Sequence, residues 1–86
     1  MVKETFVIEN ETGLHARPAT EIAKIAIKYP CNVNLVVNGK TINAKSSLMI
    51  MSAGIKSKTE LEILCDGENE EKALEELKTF LQSNLE

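Results

Sequence analysis

Four short segments along the chain are rich in β-branched and other apolar residues, and this pattern predicts four β-strands. The segments are residues 5–8, 33–37, 41–44 and 60–65. Asn38-Gly39 separates the second segment from the third and predicts a two-residue hairpin, because both turn positions need positive φ. The last segment alternates charged and apolar residues, so one face of that strand is expected to be solvated.

Apolar residues recur at intervals of three and four in the segment that follows Pro18, which predicts an amphipathic helix. Proline suits a first helical turn because its missing N–H would have no partner there. Proline also favours an extended residue before it, so we expect Arg17 to be extended and the helix to begin within a residue or two of Pro18. Pro30 is expected to end the helix. Residues 10–13, with Asn10 and Gly13, have the composition of a turn.

Two further helices are predicted in the second half of the chain. The first is short, with Ser46 as its N-cap and Gly54 just past its end. The second is expected to be capped by Asn69, with Glu70 and Glu71 in its first turn, as the helix dipole prefers. Its apolar stripe consists of Ala73, Leu74, Leu77, Phe80, Leu81 and Leu85.

The predicted order of elements is β-α-β-β-α-β-α, within a chain of 86 residues. We expect a single α+β domain, an open-faced sandwich in which three helices cover one face of a four-stranded, mostly antiparallel sheet. A domain of this size buries about 60% of its unfolded surface and has no room for a deep cavity. A protein that presents one reactive group on its surface therefore fits better than a self-contained enzyme, and no cofactor is expected.

Composition limits the other classes of function. No apolar stretch approaches the roughly 20 residues of a membrane span and the first is too short for a signal peptide, so we expect a cytoplasmic chain without membrane insertion. Cys31 and Cys65 have no CxxC spacing, so they are interpreted as buried free thiols rather than metal ligands. No metal site is predicted.

Charge is distributed unevenly along the chain. Residues 13–58 contain seven Lys or Arg and one acid, whereas residues 66–86 contain seven acids and two lysines. The basic segment would attract a phosphate or an acidic protein partner. Nucleic acid is not expected as a partner, because the pI is near 5.2 and the chain has only one Tyr and two Phe.

His15 is the only histidine, and it lies just before the predicted helix and two residues before Arg17. Unpaired N–H groups and the helix dipole favour an anion at a helix N-terminus, and the planar guanidinium of arginine matches phosphate oxygens. A neutral imidazole is also a nucleophile. Residues 13–19, the candidate segment, are therefore a candidate site of phosphoryl transfer. The alternative is that His15 is an ordinary solvated histidine.

Three stretches together resemble the HPr family, the histidine-containing phosphocarriers of the bacterial sugar phosphotransferase system. They are residues 13–19 (GLHARPA), residues 38–40 (NGK), and Ala44-Lys45-Ser46 followed by residues 51–54 (MSAG). The resemblance covers essentially the whole chain. It implies that His15 accepts a phosphoryl group through Nδ1 from phosphorylated enzyme I, itself charged by phosphoenolpyruvate, and passes it to enzyme IIA proteins or domains.

The same resemblance assigns roles to further residues. Arg17 matches the arginine that pairs with the phosphate. Ser46 matches a serine that, in Gram-positive relatives, an ATP-dependent kinase phosphorylates to give a corepressor of catabolite control. HPr kinase/phosphorylase and a catabolite control protein are thus implied as further partners. The implied partner-binding surface comprises Thr20, Leu48, Met49, Met51 and Ser52.

Positions 47–49 depart from the family pattern. Ser47 stands where many Gram-positive relatives have an apolar residue, and Leu48-Met49 replaces the common Met-Gly. These changes bear on partner recognition and leave the phosphoryl-acceptor residues intact. Ser46 is otherwise an ordinary N-cap, and Ser47 and Ser52 are alternative hydroxyls.

The leading hypothesis is a monomeric phosphoryl carrier that is a substrate of phosphotransferases and not itself an enzyme. A regulatory paralogue acting mainly through Ser46 in catabolite control is the alternative, although such a protein would be expected to lack His15. A small hydrolase or metal-binding domain is disfavoured by the single histidine and the lack of an acidic partner at ligand spacing.

Overall fold

The computed structural model describes residues 1–9, 13–14 and 16–83 of the chain. Seven elements follow one another in the predicted order. The strands are β1 (Val2–Val7), β2 (Asn32–Val37), β3 (Lys40–Asn43) and β4 (Glu60–Asp66), and the helices are α1 (Ala16–Ile27), α2 (Ser47–Ser52) and α3 (Glu70–Ser83). None of the described helices is long and apolar enough to cross a membrane.

The four strands form one sheet in the order β1-β4-β2-β3, and all three pairings are antiparallel. The hairpin between β2 and β3 turns at the predicted place, with φ of 51° at Asn38 and 80° at Gly39. β1 begins at Val2, three residues before the start of the strand predicted at residues 5–8. Its polar start is held by pairing with β4 and by ion pairs of Lys3 with Glu62 and of Glu4 with Lys78.

The core lies between one face of the sheet and the three helices. Alternate residues of the two central strands point into it, and the register places Leu35 opposite Ile63 and Val33 opposite Cys65. The helices contribute small and branched residues, among them Ile22, Ile50 and Leu77, each at most 1% exposed. Burial of each such branched side chain contributes about 1.5–3 kcal/mol, so this layer fixes the helix positions. The open-faced α+β sandwich predicted from the sequence is confirmed.

α1 begins at Ala16, so the prediction that Arg17 is extended is wrong. Pro18 occupies the third helical position, where an N–H would have no acceptor within the helix. The bias that proline imposes on the preceding residue is overridden, since Pro18 and the following Ala19 are both buried against the core. α1 ends at Ile27, and Lys28 and Tyr29 make turn hydrogen bonds ahead of Pro30.

α3 starts directly after Asn69 as predicted, but the geometry of its start differs from an ordinary N-cap. The backbone of Asn69 is left-handed, with φ 64°, whereas an N-cap is usually extended. The Glu70 carboxylate instead accepts a hydrogen bond from the Gly67 amide at 2.9 Å and an ion pair from the Met1 ammonium at 3.1 Å. These bonds lower the pKa of Glu70. Leu85, the last residue of the predicted stripe, lies outside the described residues.

A polar cluster links the end of α1 to α3. Glu76 accepts hydrogen bonds from the Lys28 ammonium and, at 2.5 Å, from the Tyr29 hydroxyl. These bonds lower the pKa of Glu76, the one from Lys28 contributing most. The bond to Glu76 is also the main cause of the raised pKa of Tyr29.

Both cysteines are buried free thiols, as predicted. Burial is the main cause that raises the pKa of Cys65 to about 11. Cys65 is therefore protonated at neutral pH, which is typical of a core residue and not of a reactive thiol.

Candidate functional site

Gly13 connects the candidate segment to the loop after α2. Its φ is +68°, and an alanine Cβ there would lie 2.4 Å from the carbonyl oxygen of Ile55 and 2.8 Å from the Cα of Lys56. The next residue, Leu14, is buried, and its amide donates to the same Ile55 oxygen at 3.0 Å. Only glycine combines this backbone conformation with so close an approach.

Arg17 is the second residue of α1 and is exposed. Within the described part of the chain its guanidinium makes no hydrogen bond or ion pair. The first amides of a helix have no acceptors inside it, and in α1 these belong to Ala16 and Arg17, because Pro18 has no N–H. A cation without a partner among the described residues thus lies at a helix end whose first amides have no acceptor within the helix. His15, the predicted phosphoryl acceptor, lies outside the described residues, between Leu14 and Ala16 in the chain.

Thr20 is exposed on the next turn of α1, but its hydroxyl is already engaged. Its Oγ1 donates to the carbonyl oxygen of Ala16 at 2.8 Å. This bond orients the Thr20 methyl group and leaves the oxygen as an acceptor.

Ser46 caps α2 as predicted. Its backbone is extended, with φ −114° and ψ 108°, and its Oγ accepts a hydrogen bond from the Met49 amide at 3.2 Å. Ser46 as a residue is half-buried. Ser47 is the first residue of the helix, and the cap itself belongs to Ser46 alone.

α2 presents apolar side chains to solvent. Leu48 is 70% exposed, Met49 46% and Met51 38%, whereas Ile50 is fully buried. Leu48, Met49 and Ser52 share an open groove of about 560 Å³ between α2 and β3. Met51 and Thr20 do not line this groove, although both are exposed. Exposed Met and Leu form a surface that can adapt to different partners.

Lys56 is a residue that the sequence pattern did not single out. Lys56 is one of the seven cations in residues 13–58, and nothing in its local sequence distinguishes it from the other six. Its position beside Gly13 depends on packing between parts of the chain about 40 residues apart. The described residues contain no group of three or more His, Cys, Asp or Glu side chains arranged to hold a metal ion.

Comparison with known proteins gives a consistent result. Residues 2–83 match the family model described as the PTS HPr component phosphorylation site. HPr-C-His from Thermoanaerobacter tengcongensis is 35% identical and superposes with a TM-score of 0.92, over 96% of this chain and 93% of that one. The Mycoplasma histidine-containing phosphocarrier protein is 36% identical, with a TM-score of 0.92, over 98% and 97% of the two chains.

A structure of a regulatory relative is also similar. The catabolite repression protein Crh of Bacillus subtilis is 35% identical over 100% of this chain and 99% of that one, with a TM-score of 0.76. That protein is described as a dimer with a swapped domain.

Proposed function

Since the chain belongs to the HPr family of the phosphotransferase system, a family of phosphocarriers, we propose that His15 is its phosphoryl acceptor. In this proposal His15 takes the phosphoryl group from phosphorylated enzyme I and delivers it to enzyme IIA proteins or domains. The carrier acts in the cytoplasm and is a substrate of phosphotransferases rather than an enzyme with its own turnover.

The observation that carries the proposal is the arrangement at the start of α1. Arg17 is exposed, has no partner in the described part of the chain and lies in the first turn of α1. A guanidinium and the N-terminus of a helix both attract an anion. Arg17 is bonded to Ala16, which follows His15 directly. A phosphoryl group on the imidazole would therefore meet a bidentate guanidinium and the amides of Ala16 and Arg17.

The chemical step requires positioning and charge stabilisation more than covalent help from the protein. The lone pair of a neutral imidazole nitrogen attacks phosphorus in line, and the donor leaves with the electron pair of the bond that breaks. Arg17 stabilises the phosphoryl oxygens without bonding to them covalently. The N–P bond remains labile because imidazole is a good leaving group, so the cargo can be passed on.

We assign partner recognition to the exposed apolar side chains of α2, Leu48, Met49 and Met51, together with Ser52 and Thr20. Both enzyme I and the IIA units must approach the same histidine, so one adaptable surface has to serve different partners. A monomer leaves this surface free, and light scattering tests that expectation against the dimer described for Crh.

Incubation with enzyme I and phosphoenolpyruvate, followed by intact mass measurement, tests the carrier function. We expect one acid-labile phosphate on the wild type and none on His15→Ala. Arg17→Gln should slow transfer by at least tenfold. Lys72→Gln, which removes an exposed cation from α3, is the matched control and should behave as wild type. Absence of transfer to the wild-type chain would overturn the proposal.

We further propose that Ser46 is a regulatory phosphorylation site. Its hydroxyl caps the helix that carries the apolar docking side chains, so a phosphate there adds negative charge to that surface with little refolding. HPr kinase/phosphorylase and ATP should give an acid-stable phosphate that is lost in Ser46→Ala and kept in Ser47→Ala. A label on Ser47 instead would show that the assignment is wrong.

The similarity to Crh supports a second candidate, a regulatory paralogue that acts mainly through Ser46 in catabolite control. The two candidates differ in what happens to the phosphate on His15. A carrier passes it to a IIA unit and restores uptake of a phosphotransferase sugar in cells lacking their own carrier. A regulatory form is modified at Ser46 and binds a catabolite control protein, but fails to restore uptake.

A further inference from the structure

Six of the ten cationic side chains have a polar partner within the described residues. Of the ten Lys and Arg residues, five form ion pairs with carboxylates and Lys45 donates to the carbonyl oxygen of Tyr29 at 2.9 Å. The five ion pairs are Lys3–Glu62, Lys24–Glu21, Lys28–Glu76, Lys58–Glu9 and Lys78–Glu4. The remaining four cations, Arg17, Lys40, Lys56 and Lys72, have no such partner in the part of the chain that the structure describes.

Two of these four unpaired cations lie at the candidate segment. Arg17 belongs to it and is the second residue of α1. Lys56 is packed against the beginning of the segment, since an added Cβ on Gly13 would lie 2.8 Å from the Lys56 Cα. Leu14, which is covalently bonded to His15, donates its amide to the residue before Lys56 at 3.0 Å. The other two, Lys40 and Lys72, lie at the β2–β3 hairpin and on α3.

We propose that Lys56 is a second cation of the phosphoryl site, acting with Arg17 on the phosphoryl group carried by His15. This inference rests on the proposed function of His15. A phosphoryl group bears nearly two negative charges at neutral pH, and one guanidinium leaves about half of that charge unbalanced. Lys56 is exposed, so its flexible side chain can follow the group without losing contacts in the core.

The position of Lys56 distinguishes this role from general attraction of acidic partners. Lys58 is two residues further on and also exposed, but it is paired with Glu9 at 3.3 Å. The pairing leaves Lys56 as the unneutralised charge of this loop within the described residues. The hydrogen bond from Leu14 to Ile55 fixes the loop backbone relative to the start of the site, so the Lys56 side chain extends from a backbone held beside Gly13.

Chemical phosphorylation tests the inference without enzyme I. Phosphoramidate phosphorylates accessible histidines directly, and ³¹P NMR then follows the ionisation of the phosphohistidine. Removal of a nearby cation stabilises the protonated forms. Lys56→Gln should raise the pKa of the phosphohistidine by at most about 0.7, a factor of about 5 in proton affinity, which is the effect of a unit charge about 4 Å away in water. The shift should shrink in 1 M salt.

Lys72→Gln changes the net charge by the same amount at a distant site and is the matched control. It should leave the pKa of the phosphohistidine unchanged, and Lys56→Arg should retain the wild-type value. Equal pKa values in wild type, Lys56→Gln and Lys72→Gln would overturn the inference. Slower transfer to a partner protein together with an unchanged phosphohistidine pKa would also overturn it, and would assign Lys56 to partner docking.

The inference about Lys56 and the proposed carrier function can fail independently of each other. If enzyme I fails to phosphorylate the wild-type chain, the carrier role fails, and the NMR titration still decides whether Lys56 acts on a phosphoryl group at His15. If transfer proceeds normally and the titration shows no effect of Lys56→Gln, only the inference about Lys56 fails.

Discussion

Replacement of Gly13 by alanine tests how the candidate segment is held against the loop after α2. Two costs add at this position. A left-handed backbone disfavours an L-residue by about 1–2 kcal/mol. The new Cβ would also lie 2.4 Å from the Ile55 oxygen and 2.8 Å from the Lys56 Cα, and displacing backbone to relieve such contacts costs about 1–3 kcal/mol. We expect a loss of about 2–5 kcal/mol in the free energy of unfolding.

Gly54→Ala is the matched control, because Gly54 also has a positive φ of +64° but nothing lies within 4 Å of its added Cβ. Its cost should be about 1–2 kcal/mol from the backbone alone. Urea and thermal unfolding measure both variants, and in a domain of this size each kcal/mol lowers Tm by about 4–8 °C. Equal destabilisation by the two substitutions would refute the reasoning that close packing, and not φ alone, requires Gly13.

Three further predictions concern other parts of the molecule. Ser46→Ala should lower the free energy of unfolding by about 1 kcal/mol through loss of the cap on α2, whereas Ser52→Ala should change urea-measured stability by less than 0.5 kcal/mol. Ile50→Ala should cost about 2–5 kcal/mol, because Ile50 is fully buried; Leu48→Ala, at a residue 70% exposed, should leave the urea midpoint nearly unchanged. The pKa of Glu76 is lowered in the folded chain, so its contribution to stability is present above about pH 4.3, the unfolded value, and is lost as pH falls through the folded value. The free energy of unfolding, measured from pH 7 to pH 2, should therefore fall less steeply in Glu76→Gln than in the wild type. Parallel curves for the two proteins would contradict this assignment.

Local chemistry made much of the fold predictable from the sequence. The hairpin at Asn38-Gly39 and the cap at Ser46 depend on a few adjacent residues, and both are found as predicted. Arg17 was misjudged, because the conformational bias before a proline is weaker than the packing of two buried residues that follow it. Asn69 precedes α3 as predicted, but its backbone is left-handed and not extended as in an ordinary N-cap. The Glu70 carboxylate accepts the hydrogen bond from the preceding turn, which the Gly67 amide donates.

The site was predictable only in part, for a physical reason. The proposed acceptor His15 and Arg17 are two residues apart in the sequence, so their pattern alone points to the proposed chemistry. Lys56 lies about 40 residues away, and only the pairing of Leu14 with Ile55 brings it close. Such long-range contacts leave no periodicity in the chain, so the position of Lys56 beside Gly13 cannot be predicted from the sequence.

The same long-range contact has a consequence for biosynthesis. Among the described strands β1 pairs with β4 alone. The amides of Ile8 and Leu14 donate to the carbonyl oxygens of Thr59 and Ile55, and the Lys58 amide donates to the carbonyl oxygen of Ile8. The N-terminal part of the chain is made first but has no binding surface until these later residues leave the ribosome. A nascent chain therefore exposes its candidate acceptor segment without the packing that organises it, and a partner that requires the folded site selects completed molecules.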